Sequence, residues 1–185
     1  MPRRLEPQPK TVWSMKVSLR FKFDSRKAVE VLLYIAERVR DTYHALKVLY
    51  FADKEHLARY GRLICGDTYI AMDHGPVPSG AYDLVKQARS AESLAPLVNA
   101  DCAFSVVNYY IVPKRQPDLD LLSDSDVECL DAAIERYGRL SFGELKEISH
   151  REPAFRQCAQ NDPIPWEAII RSMPEGDLLL EHLLS

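Results

Sequence analysis

No stretch of the chain is apolar for anything like the ~18 residues that a membrane span requires. The opening residues are broken by prolines and arginines and lack the apolar centre of a secretory signal, so the expected location is the cytoplasm, with no membrane partner. GxxxxGK[ST], GxGxxG and HExxH are all missing, which leaves nucleotide, dinucleotide and zinc-peptidase chemistry without a sequence basis. Cysteine is sparse. Cys65, Cys102, Cys129 and Cys158 stand about 30 residues apart, unlike the close pairs of a zinc site, and read as buried reduced thiols.

What is present is a chain of 185 residues, 46% of them hydrophobic, enough to bury a full core as one globular unit. Its charge is uneven. Residues 1–28 hold eight Lys/Arg against Glu6 and Asp24, a net of +6, so the remainder of this chain of net charge −3 carries −9. An acidic body suits a basic partner; the basic leader leaves nucleic acid as a further but less favoured one.

Residues 1–14 carry three prolines and no periodicity and read as a flexible tail. Residues 15–113 read as the core unit, 114–122 as a polar linker, and 123–185 as a helical part of the same globule. Alternation from Lys16 to Phe23 predicts a short strand. Asp24 or Ser25 caps a helix bearing Ala28, Val31, Leu32, Ile35 and Val39. An amphipathic helix is expected from Thr42 to Tyr60, ended by Gly61. Gly66-Asp67 reads as a turn, Thr68 to Asp73 as a strand, and His74-Gly75-Pro76-Val77-Pro78 as a rigid loop, because two prolines remove two backbone donors. Ser79 is the expected N-cap of a helix through Tyr82, Leu84, Val85 and Ala88, and Ser90 to Ala100 a connection. Cys102–Val107 and Tyr109–Val112 form an antiparallel hairpin around Asn108. In the last third, Ser123 with Asp126 and Ser141 with Glu144 make two capping boxes. Shorter helices are expected near 154–159, 166–171 and 175–184.

Asp53 lies on the apolar stripe of the long helix, where a bare carboxylate costs several kcal/mol, so the fold must compensate it. His56 follows one turn on. Asp53, His56 and His74 admit a metal or proton-transfer site. The preferred alternative is that Asp53 accepts hydrogen bonds from backbone N–H groups or a tyrosine at the Gly75–Ser79 loop, since no third strong ligand is spaced to complete a site. Cys65 with His74 would be a nucleophile pair, but no oxyanion motif accompanies it. The helix–strand–loop–helix order with a hairpin admits a winged helix, yet the helix from Gly80 offers only Lys86 and Arg89. Tyr50, Tyr60, Tyr69 and Tyr82 read as core lining or as partner anchors.

The segment LYFADKEHLARYGRLICGDTYIAMDHGPVPSGAYDL joins the Asp53-x-x-His56 helix, the Gly66-Asp67-Thr68-Tyr69 turn and the Gly75-Pro76-Val77-Pro78-Ser79 loop. In that combination the chain resembles the Panacea domain, the SocA-like antitoxin domain. Weaker likeness runs from about Val29 to the segments LSDSD and LSFGELKEISH. Leu63-Ile64-Cys65 departs from the family, which usually has a proline and a small polar residue before this glycine.

The resemblance implies a type II antitoxin that neutralises a co-encoded toxin by direct protein contact, with delivery of the toxin to a cytosolic protease as a variant. Two other classes remain open: a DNA-binding regulator of its own operon, and a metal-dependent enzyme centred on Asp53, His56 and His74. The reading adopted has no catalytic residue, cofactor or metal. Asp53, His56, Tyr60, Asp67, Tyr69, His74, Gly75, Pro76, Pro78, Ser79 and Tyr82 bind the partner or orient the loop that does. The expected fold is a mostly α-helical α+β one, a small antiparallel sheet on helices with a C-terminal helical subdomain.

Overall fold

The computed structural model describes residues 19–89 and 103–185. The expected tail over 1–14, the start of the strand at Lys16, the Ser90–Ala100 connection and Cys102 lie outside these residues. The elements run α1 (Ser25–Ala36), α2 (Thr42–Tyr60), β1 (Tyr69–Met72), β2 (Gly75–Pro78), α3 (Ser79–Arg89), β3 (Phe104–Val107) and β4 (Tyr110–Pro113). After a 3₁₀ turn at Leu119–Leu121 come α4 (Asp124–Tyr137), α5 (Phe142–His150), α6 (Pro153–Arg156), α7 (Trp166–Arg171) and α8 (Gly176–Leu184). Helices dominate, with two small antiparallel sheets, β1–β2 and β3–β4, and a helical C-terminal region: the mostly helical α+β fold that the sequence leads one to expect.

The core is laid around α2, which packs most extensively on α4 and also meets α1, α3, α5 and β2. The expected amphipathic helix is corrected here. Every residue from Ala45 to Asp53 is buried, so over two turns α2 has no solvent face; one opens from Lys54 and Glu55 onward. A helix wrapped by neighbours on every side buries what its pattern marks as polar, and Lys47 and Asp53 both go inside. Asp41 caps its start by accepting from His44 N at 3.0 Å, and Gly61 ends it at φ +67°.

The proline segment is the second correction. Gly75–Pro78 is a strand, not a loop, paired Tyr69↔Pro78, Ile70↔Val77, Ala71↔Pro76 and Met72↔Gly75. The register disarms both prolines. They lie opposite Tyr69 and Ala71, whose backbone groups turn the other way, to Ile164 N (2.8 Å), Asp162 O (2.9 Å) and Asn161 N (2.6 Å). No donor is wanted where proline has none.

The strand expected up to Phe23 is not formed over Leu19–Phe23. Leu19, Phe21 and Phe23 do turn the same way, but among the described residues no strand pairs with them; Leu19 N donates to Glu167 Oε1 at 2.6 Å and Phe21 packs edge-on to Trp166. The expected hairpin is present, but Tyr109, expected in its second strand, joins Asn108 in the turn at φ +68° and +50°, so that β4 begins at Tyr110, the partner of Val107. Both capping boxes are present as well. Between the hairpin and α4, the buried Glu30 of α1 gathers Arg115 (2.6 and 2.7 Å) and Asp118 N (2.7 Å).

Candidate functional site

Asp53, His56 and Asp67, singled out in the sequence, are interior, and each fastens backbone from another element or connection. Asp53 is 0% exposed. Its Oδ1 accepts from Ile64 N at 2.7 Å and its Oδ2 from the Tyr69 hydroxyl at 2.8 Å. Burial pushes its carboxyl up to about 7, against the downward pull of those two bonds. Asp53 therefore pins the segment after α2 and the first residue of β1; the expectation that it reaches the Gly75–Ser79 segment is overturned. Ile64 lies in the stretch that departs from the family pattern, and its backbone N–H serves Asp53 whatever the side chain.

The bond to the proline strand comes from Lys47, which the sequence reading passed over. Its Nζ donates to Pro76 O at 2.6 Å and lies 5.2 Å from the centre of the Tyr43 ring. Burial pulls the ammonium down to about 7. Gly75 makes this approach possible: at φ +101° it sits so close to α5 that a Cβ would lie 2.6 Å from Ser149 Cβ and 3.2 Å from Lys47 Nζ.

Asp67 replaces Ser79 as the cap of α3. Ser79 is the first helical residue, and Asp67 accepts from Gly80 N and Ala81 N, both at 2.8 Å, while its own carbonyl accepts from Trp166 Nε1 at 3.2 Å. A carboxylate at a helix start meets both the orphan N–H groups and the positive end of the dipole.

His56 faces away from His74, into the start of α4. Its Nδ1 lies 2.8 Å from Arg62 O, which can only accept, so Nδ1 carries the proton and Nε2 is left to accept from Ser125 Oγ at 3.0 Å. Burial lowers its basicity, against the upward pull of the Arg62 carbonyl and of Asp126, whose Oδ1 is 3.2 Å away. Asp126, also buried, receives Lys27 Nζ at 2.5 Å, Arg62 Nη1 at 3.2 Å and Ser123 N at 2.9 Å. Burial pushes its carboxyl up, but these partners outweigh it and hold it below the usual range. The capping box and the central helix thus share one polar knot.

Asp53, His56 and His74 are not assembled into a site. The first two are consumed by separate backbone tasks, and His74 stands on the exposed β1–β2 turn with its ring 5.2 Å from that of Phe142. Among the described residues no group of three His, Cys, Asp or Glu is placed to hold a metal ion. Cys65 is buried, its thiol pushed far up by burial and the nearby Asp53 charge, and does not share the exposed turn with His74.

Of the tyrosines, Tyr50 and Tyr69 are fully buried and stack edge-on 4.9 Å apart, which makes them core and not anchors. Tyr82 is half-buried under Lys86, and Tyr60 is exposed with its hydroxyl on Glu128 Oε2 at 2.7 Å. Gly75, Pro76 and Pro78 are buried; of that segment it is His74 that reaches solvent.

A mostly helical α+β scaffold whose buried polar residues serve its own frame is what fold and geometry define. The chain belongs to the antitoxin SocA-like, Panacea domain family, whose model matches residues 46–155, from α2 to α6. Comparison with curated proteins and with solved structures finds no match to the chain.

Proposed function

We propose that this chain is the cytoplasmic antitoxin of a type II toxin–antitoxin pair and silences a co-encoded toxin by binding it directly, without catalysis. The observation that carries the reading is the family match over residues 46–155. The geometry supports it in one respect: Asp53, His56 and Asp67, the residues most suited to acid–base or metal chemistry, already have both sides of their polar groups occupied by backbone and side chains.

The test is growth. Induction of the neighbouring open reading frame alone should arrest cells, and co-expression of this chain should restore growth while the toxin's level on an immunoblot stays constant. Restored growth with protease-dependent loss of the toxin would replace sequestration by delivery to a protease. No arrest, or arrest that this chain leaves untouched, would overturn the antitoxin reading.

A further inference from the structure

Three loops from distant parts of the chain meet the first turn of α2, each held by a different residue. Thr42 takes the β3–β4 turn, its N–H and Oγ1 donating to Tyr109 O at 2.9 and 2.6 Å. Tyr43 takes the β1–β2 turn: its hydroxyl donates to His74 O at 3.2 Å and its ring lies 4.6 Å from that of Phe142. His44 takes the α4–α5 connection, with Nε2 2.8 Å from Leu140 O. Successive helix positions point about 100° apart, so the loops surround the end of the helix and do not line up along it.

What these loops leave outside is aromatic. Tyr109 is 66% exposed, Tyr110 54% and Phe142 45%, with His74 beside Phe142. Val107, 54% exposed, is the cross-strand partner of Tyr110 and continues that face. Tyr109 is the most telling of them. Its φ of +68° is a conformation that favours glycine or asparagine and disfavours bulky side chains. The core gains nothing from it, because the ring is outside, under the Arg89 guanidinium at 4.5 Å. A sequence departs from its own folding logic in this way where function needs the side chain.

The border carries arginines with no carboxylate partner among the described residues, while its exposed acids Asp73 and Glu144 are engaged by Gln160 and Ser141. Arg40 continues the backbone beside β4, where its carbonyl accepts from Ile111 N at 2.8 Å, and Arg139 adjoins Leu140; neither has a carboxylate partner among the described residues. Arg89 adds a third cation. The acid at the centre, Asp41, is already engaged by His44 through its N–H at 3.0 Å and Nδ1 at 2.7 Å. Glu135 lies with Arg139 on the adjoining groove between α1 and α4.

We propose that this end of the molecule is the surface that binds the toxin, and that it takes an apolar patch of the toxin bordered by Asp and Glu carboxylates, so that the local arginines and not the net acidity of the body set the partner's charge there. The proposal rests on the antitoxin reading and names its contact surface. The test is calorimetric titration of the full chain with the purified product of the neighbouring open reading frame, beside growth rescue. Tyr109→Asn with Tyr110→Ser should weaken binding roughly thirtyfold or more while the melting temperature holds, since asparagine suits the turn. Arg40→Glu with Arg139→Glu should weaken it about as much, with most of the loss at low salt, and touches only exposed side chains. Leu178→Ser, on α8 and equally exposed, should change nothing. Wild-type binding that both double variants retain, or that Leu178→Ser loses equally, would overturn the surface alone. The same would follow if the variants lost self-association or RNA binding and kept the toxin. A wild-type chain that neither binds nor rescues would overturn the antitoxin reading and the surface with it.

Discussion

Lys47 donates from inside α2 to the carbonyl oxygen of Pro76 at 2.6 Å, and this bond fastens the proline strand to the central helix. Among the described residues it has no carboxylate partner, and it is held by the Pro76 carbonyl and the face of Tyr43. Its ammonium is pulled down to about 7 by burial, and the sign of the consequence is fixed. The unfolded chain keeps the proton up to the ordinary lysine range, so the fold loses stability as pH falls from that range towards 7.

Lys47→Met removes this penalty together with the bond. Relative to wild type, the variant should fare best near pH 7 and lose ground as pH rises, by on the order of 2 kcal/mol between pH 7 and 9. Denaturant titrations of both proteins at the two pH values check this. A difference that does not move with pH would mean that the ammonium titrates normally.

Asp53 has the opposite sign. Its carboxyl is raised to about 7 by burial, so its own contribution to stability is greatest below the unfolded value near 4 and declines as pH climbs to 7. Asp53→Asn should flatten that window. At pH 7 it should also cost about 1–3 kcal/mol, because an amide offers one acceptor oxygen where Ile64 N and Tyr69 both donate. Growth rescue should fall with the folded fraction. Full stability with rescue abolished would show that Asp53 contacts the partner itself.

The two capping boxes should not be equal. Ser141→Ala removes a local cap and should cost about 0.5–1 kcal/mol. Ser123→Ala should cost more, about 1–2 kcal/mol, since Ser123 Oγ also accepts from Arg62 Nη2 at 2.8 Å within the Asp126 knot. Neither should alter which toxin is recognised. Equal costs would show that the knot adds nothing to the cap.

Gly75→Ala and Gly143→Ala form a matched pair. The first forces a left-handed backbone and a Cβ 2.6 Å from Ser149 Cβ, and should cost about 2–4 kcal/mol. The second, in the first turn of α5 with nothing within 4 Å, should be neutral or stabilise by up to about 1 kcal/mol. Thermal unfolding separates them, and a tolerated Gly75→Ala would dissociate β2 from α5.

Local chemistry carried the elements that were legible in the sequence. The capping boxes and the Gly61 stop depend on residues three or four apart and stand where the spacing put them; the hairpin also formed, with its turn one residue longer, taking in Tyr109. Asp53 was legible as a compensated carboxylate, but not its partners, because those depend on which backbone the fold brings past it. Lys47 was hidden for a different reason. Periodicity marks a solvent side on α2, and nothing local tells that α3, α4, α5 and β2 will close over it. Pro76 and Pro78 misled in the same way: they forbid a ladder donor, and only the register shows that none is needed there. The loops gathered at Thr42, Tyr43 and His44 come from segments some 30 to 100 positions away, beyond any local pattern.

The most direct test of neutralisation by contact uses purified components. This chain and the product of the neighbouring open reading frame, mixed without nucleic acid or protease and passed through a sizing column, should co-elute as a stable complex in which the toxin's activity is lost. Separate elution with the toxin still active, from a chain that protects cells in growth, would contradict direct sequestration.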